Sequence, residues 1–234
     1  MIYLVFICVG GILGLRIRYY CRHFAEQVSL DIYTCYCEIF PDNPPPYESK
    51  KSTMYSIKCG SNSGFFIGFS MCFLACSLLF DHLWLAAIIA LKCSILATIS
   101  LIDYYYKLIP TLLCQQLMVL GITATYFNLV PQNLAESLQS GAIGFVIFWL
   151  LYHFAKFYSQ TEAFGRGDYW LIGGLATFQP WQALPQFIFI ACITALLYAW
   201  WQKKHNPQIK FIPFAPFLCF GGLLVFGLNW ATIS

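Results

Sequence analysis

The chain has 234 residues, of which 59% are hydrophobic, 19% aromatic and only 10% charged. A soluble domain carries about 25% charged residues, so this composition excludes an ordinary soluble enzyme and implies a polytopic membrane protein. The formal net charge of +3 excludes little by itself; the positions of the basic residues carry the information, and no nucleic-acid partner is expected.

Eight apolar stretches are predicted as helices, near residues 1–17, 64–80, 83–102, 111–130, 137–157, 168–180, 184–201 and 212–230. Each approaches the ~20 residues that a bilayer-crossing helix needs, so the expected fold is an all-α transmembrane bundle of about eight spans. The first stretch has no basic n-region and no A-x-A-like cleavage site, and is read as a retained helix. The sixth is short, with Gln179-Pro180-Trp181 and Pro185 marking the turn that follows. The expected divisions are a first transmembrane helix (1–20), a cytoplasmic cysteine-containing loop (21–63) and a membrane-embedded domain (64–234). The loop is too small for its own core without a staple such as a metal. Of the eleven cysteines, several lie inside apolar runs (Cys8, Cys72, Cys76, Cys93, Cys114, Cys192, Cys219), where a thiol acts as a small apolar packing group.

Basic residues alternate between connections. Arg16, Arg18, Arg22, Lys50, Lys51, Lys58, Lys107, Lys156, Arg166, Lys203, Lys204 and Lys210 fall on one side of an eight-span arrangement, which is twelve of the thirteen. The positive-inside rule assigns that side to the cytoplasm. The exception, Lys92, lies in the middle of the third stretch, and its expected partner is a carboxylate on another helix. His82, His153 and His205 lie near helix ends and are read as solvated, and Tyr104, Tyr105 and Tyr106 as part of an interfacial aromatic belt.

Two carboxylates stand out in this frame. Asp103 closes the third span in Leu101-Ile102-Asp103-Tyr104, and Asp168 opens the sixth in Gly165-Arg166-Gly167-Asp168. The topology puts both on the cytoplasmic side. Carboxylates at the mouth of a membrane segment are costly and face protein or water. Two of them a few Å apart do not ionise together, so one holds a proton while the other is charged. The charged one can take a proton from water and the protonated one can polarise a peptide carbonyl, which suffices for amide hydrolysis. Gly165 and Gly167 would let a neighbouring backbone approach closely. The plainer reading is a pair of solvated helix ends with packing glycines.

Three ordered motifs resemble the type IV prepilin peptidases, the GxGD-type aspartic peptidases. Ile102-Asp103 with Pro110 resembles the first catalytic aspartate and its downstream proline. Glu162, Gly165, Gly167, Asp168 and Leu171 resemble E-x-x-G-x-G-D-x-K-L. Ile212-Pro213-Phe214-Ala215-Pro216-Phe217-Leu218 resembles I-P-F-G-P-[FY]-L. The resemblance spans about residues 64–225. It implies that Asp103 and Asp168 are catalytic, with Gly165, Gly167, Glu162, Pro110, Pro213 and Pro216 supporting the site. It also implies cleavage of prepilin or pseudopilin leaders at the cytoplasmic edge of a bacterial inner membrane, without a cofactor.

The sequence departs from the family at Trp170, where a lysine is usual, at Ala215, and at Thr111. Family members often carry two C-x-x-C pairs in the N-terminal loop, a zinc-like pattern. Here Cys37 and Cys59 match one cysteine of each pair, and Cys35 is a candidate substitute. The expectation is a reduced loop without metal, with Cys35, Cys37 and Cys59 the candidates should zinc be held and His23 a minor fourth candidate. In bifunctional members this region is linked to methylation of the mature N-terminus by S-adenosylmethionine, an activity left open here. Two rival readings remain: an ion- or proton-coupled transporter using Asp103 and Asp168, which predicts internal repeats and broken helices, and an inactive paralogue acting in pilus assembly.

Overall fold

The computed structural model describes residues 1–41, 54, 56, 60–159, 165–205 and 212–233. Among them there is no strand. The order is α1 (Ile2–Ile39), α2 (Asn62–Leu79), α3 (Leu83–Tyr106), α4 (Thr111–Tyr126), α5 (Leu134–Ser159), α6 (Asp168–Ala176), a 3₁₀ turn (Trp181–Ala183), α7 (Leu184–His205) and α8 (Ala215–Ile233). Five helices are long and apolar enough to cross a membrane, and α4 and α8 are shorter apolar helices. The protein is an all-α multi-pass membrane protein, built as two compact units, Met1–Leu78 and Leu79–Ser234.

In the first unit α1 runs 38 residues, about 57 Å at 1.5 Å per residue, well beyond the ~30 Å hydrocarbon layer. This corrects the loop expected from residue 21: its first half continues the helix to Ile39. No glycine or proline interrupts the chain between Gly14 and Pro41, so polar residues extend the helix without breaking it. The buried positions Phe6, Gly10, Gly14, Ile17, Cys21 and Phe24 follow the helical period. Gly10 and Gly14 lie against α2: a methyl group at either would meet the Phe69 carbonyl at 2.7 Å or the Phe65 carbonyl at 2.5 Å. That is the small-residue crossing that membrane helices use. The Ser70 hydroxyl donates to the Ile7 carbonyl at 2.9 Å, and the Ser61 hydroxyl accepts from the Gly64 N–H at 3.1 Å at the start of α2.

In the second unit α6 is the centre. Leu171, Ile172, Leu175 and Ala176 have no exposed surface, and α4, α5 and α8 all pack on this helix. At nine residues it is about 13 Å long, shorter than the 168–180 span expected. The Thr177 hydroxyl turns back onto the Gly174 carbonyl at 2.8 Å, and Ser137 of α5 donates to the Thr177 carbonyl at 2.8 Å, so the end of the helix is closed by hydroxyls. Gly174 permits the approach of α4, since a methyl there would meet the Cys114 carbonyl at 2.9 Å. Lys92 is fully buried in α3. Among the described residues the carboxylate partner expected for it is not found: its ammonium lies over the rings of Phe226, 3.7 Å from the centroid, and Phe178, at 4.3 Å. His82, His153 and His205 are exposed, as are Tyr104 and Tyr105.

Candidate active site

Asp103 lies one turn before the end of α3 and is 5% exposed. Its Oδ2 accepts a hydrogen bond from the Ala215 N–H at 2.9 Å, and the Phe214 amide also acts on it. Ala215 is the first residue of α8, so its N–H is one of the donors that a helix start leaves without an internal partner. Pro216 follows and has no N–H, and Phe217 and Leu218 donate to the Phe214 carbonyl at 3.1 and 3.2 Å. The Pro213–Pro216 segment therefore presents a donor to Asp103 at the positive end of α8. The late proline motif and the first aspartate, more than a hundred residues apart, form one hydrogen-bonded unit.

Asp168 is the first residue of α6 and is 7% exposed. Its Oδ2 accepts from the Gly165 N–H at 3.0 Å, and its own N–H donates to the Gly165 carbonyl at 3.2 Å. A methyl group on Gly165 would lie 3.3 Å from the same carboxylate oxygen. Gly167 packs on the first motif: an added methyl would overlap the Ile109 side chain and approach the Ile109 carbonyl at 3.1 Å. Ile109 precedes Pro110, which caps α4 and accepts from the Leu113 N–H at 3.1 Å. The Asp168 Oδ1 is buried without a hydrogen-bond partner among the described residues.

The two carboxyl groups lie close enough to act on each other electrostatically. The buried thiols of Cys114 and Cys219 join them: Cys219 is within electrostatic range of Asp103 and Cys114, and Cys114 of Asp168. All the motif residues so far named thus meet at one end of the α3–α8 bundle. Glu162 lies outside the described residues.

Several features were not evident in the sequence reading. Lys107 ends α3 in the left-handed conformation, with φ 56° and ψ 34°. Its N–H donates to the Asp103 carbonyl at 3.0 Å and its ammonium to the Tyr104 carbonyl at 2.8 Å. Partial burial pushes this ammonium below the usual lysine range, and Asp103 opposes that shift. A cation is therefore held beside the pair although Trp170 occupies the usual lysine position. Trp170 packs instead on Phe145 at 4.8 Å between centroids. The role of Ala215 as a donor was equally hidden, because a backbone N–H has no sequence signal of its own; the prolines around it were the available clue.

Of the zinc candidates, the described residues include Cys35 and Cys37. Cys35 and Cys37 lie two residues apart on the last turns of α1, and side chains at that spacing do not face one another. Cys59 lies outside the described residues. The His23 Nδ1 faces the Tyr19 carbonyl at 2.9 Å, and its ring packs on Tyr19.

Known proteins resemble the chain over much of its length. Residues 90–200 match the model of the type IV leader peptidase family. A prepilin leader peptidase/N-methyltransferase of Haemophilus influenzae is 34% identical over 230 residues, covering 98% of this chain and 99% of its own length. Proteins of the same description from Pectobacterium carotovorum and Dickeya chrysanthemi are each 35% identical over 82 and 83 residues, about a third of this chain and 29% of theirs. No solved structure matches.

Proposed function

The chain belongs to the type IV leader peptidase family, and we propose that Asp103 and Asp168 are the pair with which it cuts leaders from prepilin- or pseudopilin-like proteins. It is an aspartic endopeptidase of the membrane. The observation that carries the site assignment is the convergence of three distant motifs on the two carboxyl groups: Ala215 on Asp103, Gly165 on Asp168, and Ile109 under Gly167.

The chemistry follows from two carboxyl groups that share one proton. The ionised member takes a proton from a water as its oxygen attacks the scissile carbonyl carbon. The protonated member gives its proton to the carbonyl oxygen, leaving a tetrahedral diol. When the diol collapses, the leaving nitrogen takes a proton and the C–N bond breaks, so one water is consumed and the pair ends with one proton, as it began. The unpartnered Asp168 Oδ1 is free to hold that water or carbonyl. Each other Oδ2 is pinned by a backbone N–H, which limits rotation of the carboxyl groups and favours productive geometry.

We place the site at the cytoplasmic edge of a bacterial inner membrane, supported by the asymmetric basic residues. A membrane-impermeant thiol reagent on intact cells should then leave Cys35, which is exposed, unlabelled; labelling from outside would reverse the orientation. The full-length relative is also named as an N-methyltransferase, which supports methylation of the new N-terminus with S-adenosylmethionine as donor. The decisive experiment incubates the purified full chain with a prepilin. A product shortened at its N-terminus is expected, and an additional methyl group on it would report the second activity. An uncut substrate in the presence of abundant, folded protein would favour an assembly factor instead.

A further inference from the structure

Helix α4 carries two lengthwise seams. Cys114, Leu117, Gly121 and Ala124 form the first and are buried. This seam faces α6 and its end: a methyl on Gly174 would meet the Cys114 carbonyl, and one on Gly121 would overlap Thr177. Leu112, Gln116, Val119 and Thr123 form the second, at steps of four, three and four residues. That alternation is the one at which a helix packs along another. Here, however, Leu112 and Val119 are more than half exposed, and Gln116 is exposed too. With Gln115 and Leu120 these residues line a groove of about 310 Å³.

Polarity narrows what the groove receives. The Thr123 hydroxyl donates to the Val119 carbonyl at 2.8 Å, so it is satisfied within α4. Gln115 and Gln116 differ: both are exposed, and neither has a hydrogen-bond partner among the described residues. They lie in the second turn of an apolar helix, about 6–8 Å from its start. Carboxamides facing hydrocarbon are costly, and lipid tails offer them neither donor nor acceptor. The polar side chains of another membrane helix offer both, so the surface suits a helix.

Location narrows it further. Pro110 caps α4, Ile109 before it packs under Gly167, and Cys114 lies within electrostatic range of Asp168. The groove begins with Leu112 at this end and runs to Thr123, about 17 Å along the helix. A helix lying in it therefore ends beside the two carboxyl groups. A leader cut at a membrane edge leaves the rest of its substrate in the bilayer, where a single segment satisfies its backbone only as a helix. A second copy of the chain in the groove would bring no scissile bond to the pair.

We propose that this open seam of α4 holds the apolar helix of the substrate during cleavage, with Gln115 and Gln116 hydrogen-bonding to it. The assignment rests on the peptidase reading above and adds the surface by which the substrate is held.

Site-specific photocrosslinking tests it in the full chain, reconstituted with a prepilin in phospholipid vesicles and carrying Asp168→Asn so that the substrate stays intact. Benzoylphenylalanine replaces Val119 or, as a control, Phe189, an exposed residue of α7. Val119 should crosslink to the apolar segment of the prepilin at least tenfold more than the control. Capture of lipid alone or of a second copy at Val119, or equal capture by both positions, overturns the proposal. Cleavage kinetics with both aspartates intact supply a second measure. Gln116→Leu should raise KM for the prepilin about threefold or more. Val119→Trp, which fills the groove, should raise it about tenfold, with kcat within about twofold and the pH profile unchanged. An unchanged KM in both variants also overturns the proposal. If the unmodified chain leaves the prepilin uncut, the peptidase reading fails and the docking surface falls with it. If it cuts normally while Val119 captures no substrate, the docking surface alone fails.

Discussion

The two ends of the α3–α8 bundle treat buried polar groups in opposite ways. At the aspartate end, each carboxylate has one oxygen held by a backbone N–H, from Ala215 and from Gly165. At the other end, the carboxamides of Gln132 and Gln179 have no hydrogen-bond partner among the described residues, and Lys92 leans on aromatic rings. The first end is prepared by the chain itself and leaves the Asp168 Oδ1 without a partner among the described residues. Preorganised hydrogen bonding of this kind marks a place where a reaction is carried out. Asp103 and Asp168 are 5% and 7% exposed and Gln132 and Gln179 7% and 2%, so the difference does not arise from burial.

The largest effect should come from removing the carboxylates. Asp103→Asn and Asp168→Asn preserve shape but can neither share a proton nor act as a base. Each should reduce leader cleavage by about a thousandfold or more, with the protein still present in the membrane. The double variant should be about as inactive as either single one, since groups acting as a unit are not additive. Substantial cleavage by either single variant would disprove the pair and return the missing partner to Glu162.

The next effect tests the backbone donor. Ala215→Pro removes one N–H, and proline is tolerated in the first turn of a helix. A hydrogen bond to a charged group is worth about 1.5–3 kcal/mol, so cleavage should fall by about 10- to 100-fold. Ala215→Gly keeps the N–H and should stay within about threefold. Equal activity of the two variants would show that Asp103 does not depend on this bond. Because Ala215 is completely buried, thermal unfolding should accompany the assay, so that a proline variant which is merely unfolded is recognised.

A smaller effect concerns the contact that joins the first two motifs. Gly167→Ala places a methyl group into Ile109, and a displacement of about 1 Å in a site of this kind can cost up to about a hundredfold. We expect a fall of about tenfold in cleavage. Ile109→Ala opens the space, so the double variant should be more active than Gly167→Ala alone. A double variant as poor as the single one would mean that Gly167 is needed for its backbone conformation and not for room.

These tests also mark what was legible in the chain. The aspartates, the glycines beside Asp168 and the prolines near residues 213–216 were visible because each is costly or conformationally special in an apolar run. What connects them was not, since the donors are backbone N–H groups and the contacts cross more than a hundred residues. The extension of α1 to Ile39 was hidden by polarity, although the lack of a breaker before Pro41 was readable. The end of α6 was set four residues too late because Thr177 and Phe178 continue the apolar pattern, while the Thr177 hydroxyl turns the chain. The buried glutamines of the far end, Gln132 and Gln179, lie in two separate connections and carry no periodic signal.

The smallest effect lies at the turn that carries the chain away from Asp103. Lys107 adopts φ 56°, a conformation that costs an L-residue about 1–2 kcal/mol and that glycine adopts readily. The Lys107 N–H closes the helix onto the Asp103 carbonyl at 3.0 Å, so the turn fixes where α3 stops beneath the carboxylate. Lys107→Gly relieves that cost of about 1–2 kcal/mol, and the looser unfolded chain takes back only part of it, about 0.4–1 kcal/mol. Lys107→Ala removes the same ammonium and keeps the cost. Their comparison therefore isolates the backbone from the lost charge. Lys107→Gly should be more stable than Lys107→Ala by about 1 kcal/mol in thermal unfolding. Both should cleave more slowly than the unmodified chain to a similar extent, because both lose the cation beside Asp103. If alanine is as stable as glycine, the left-handed turn is not what ends α3. If instead glycine alone loses activity, stiffness of the turn, and not the charge, is what holds the aspartate end ready in the way the far end is not.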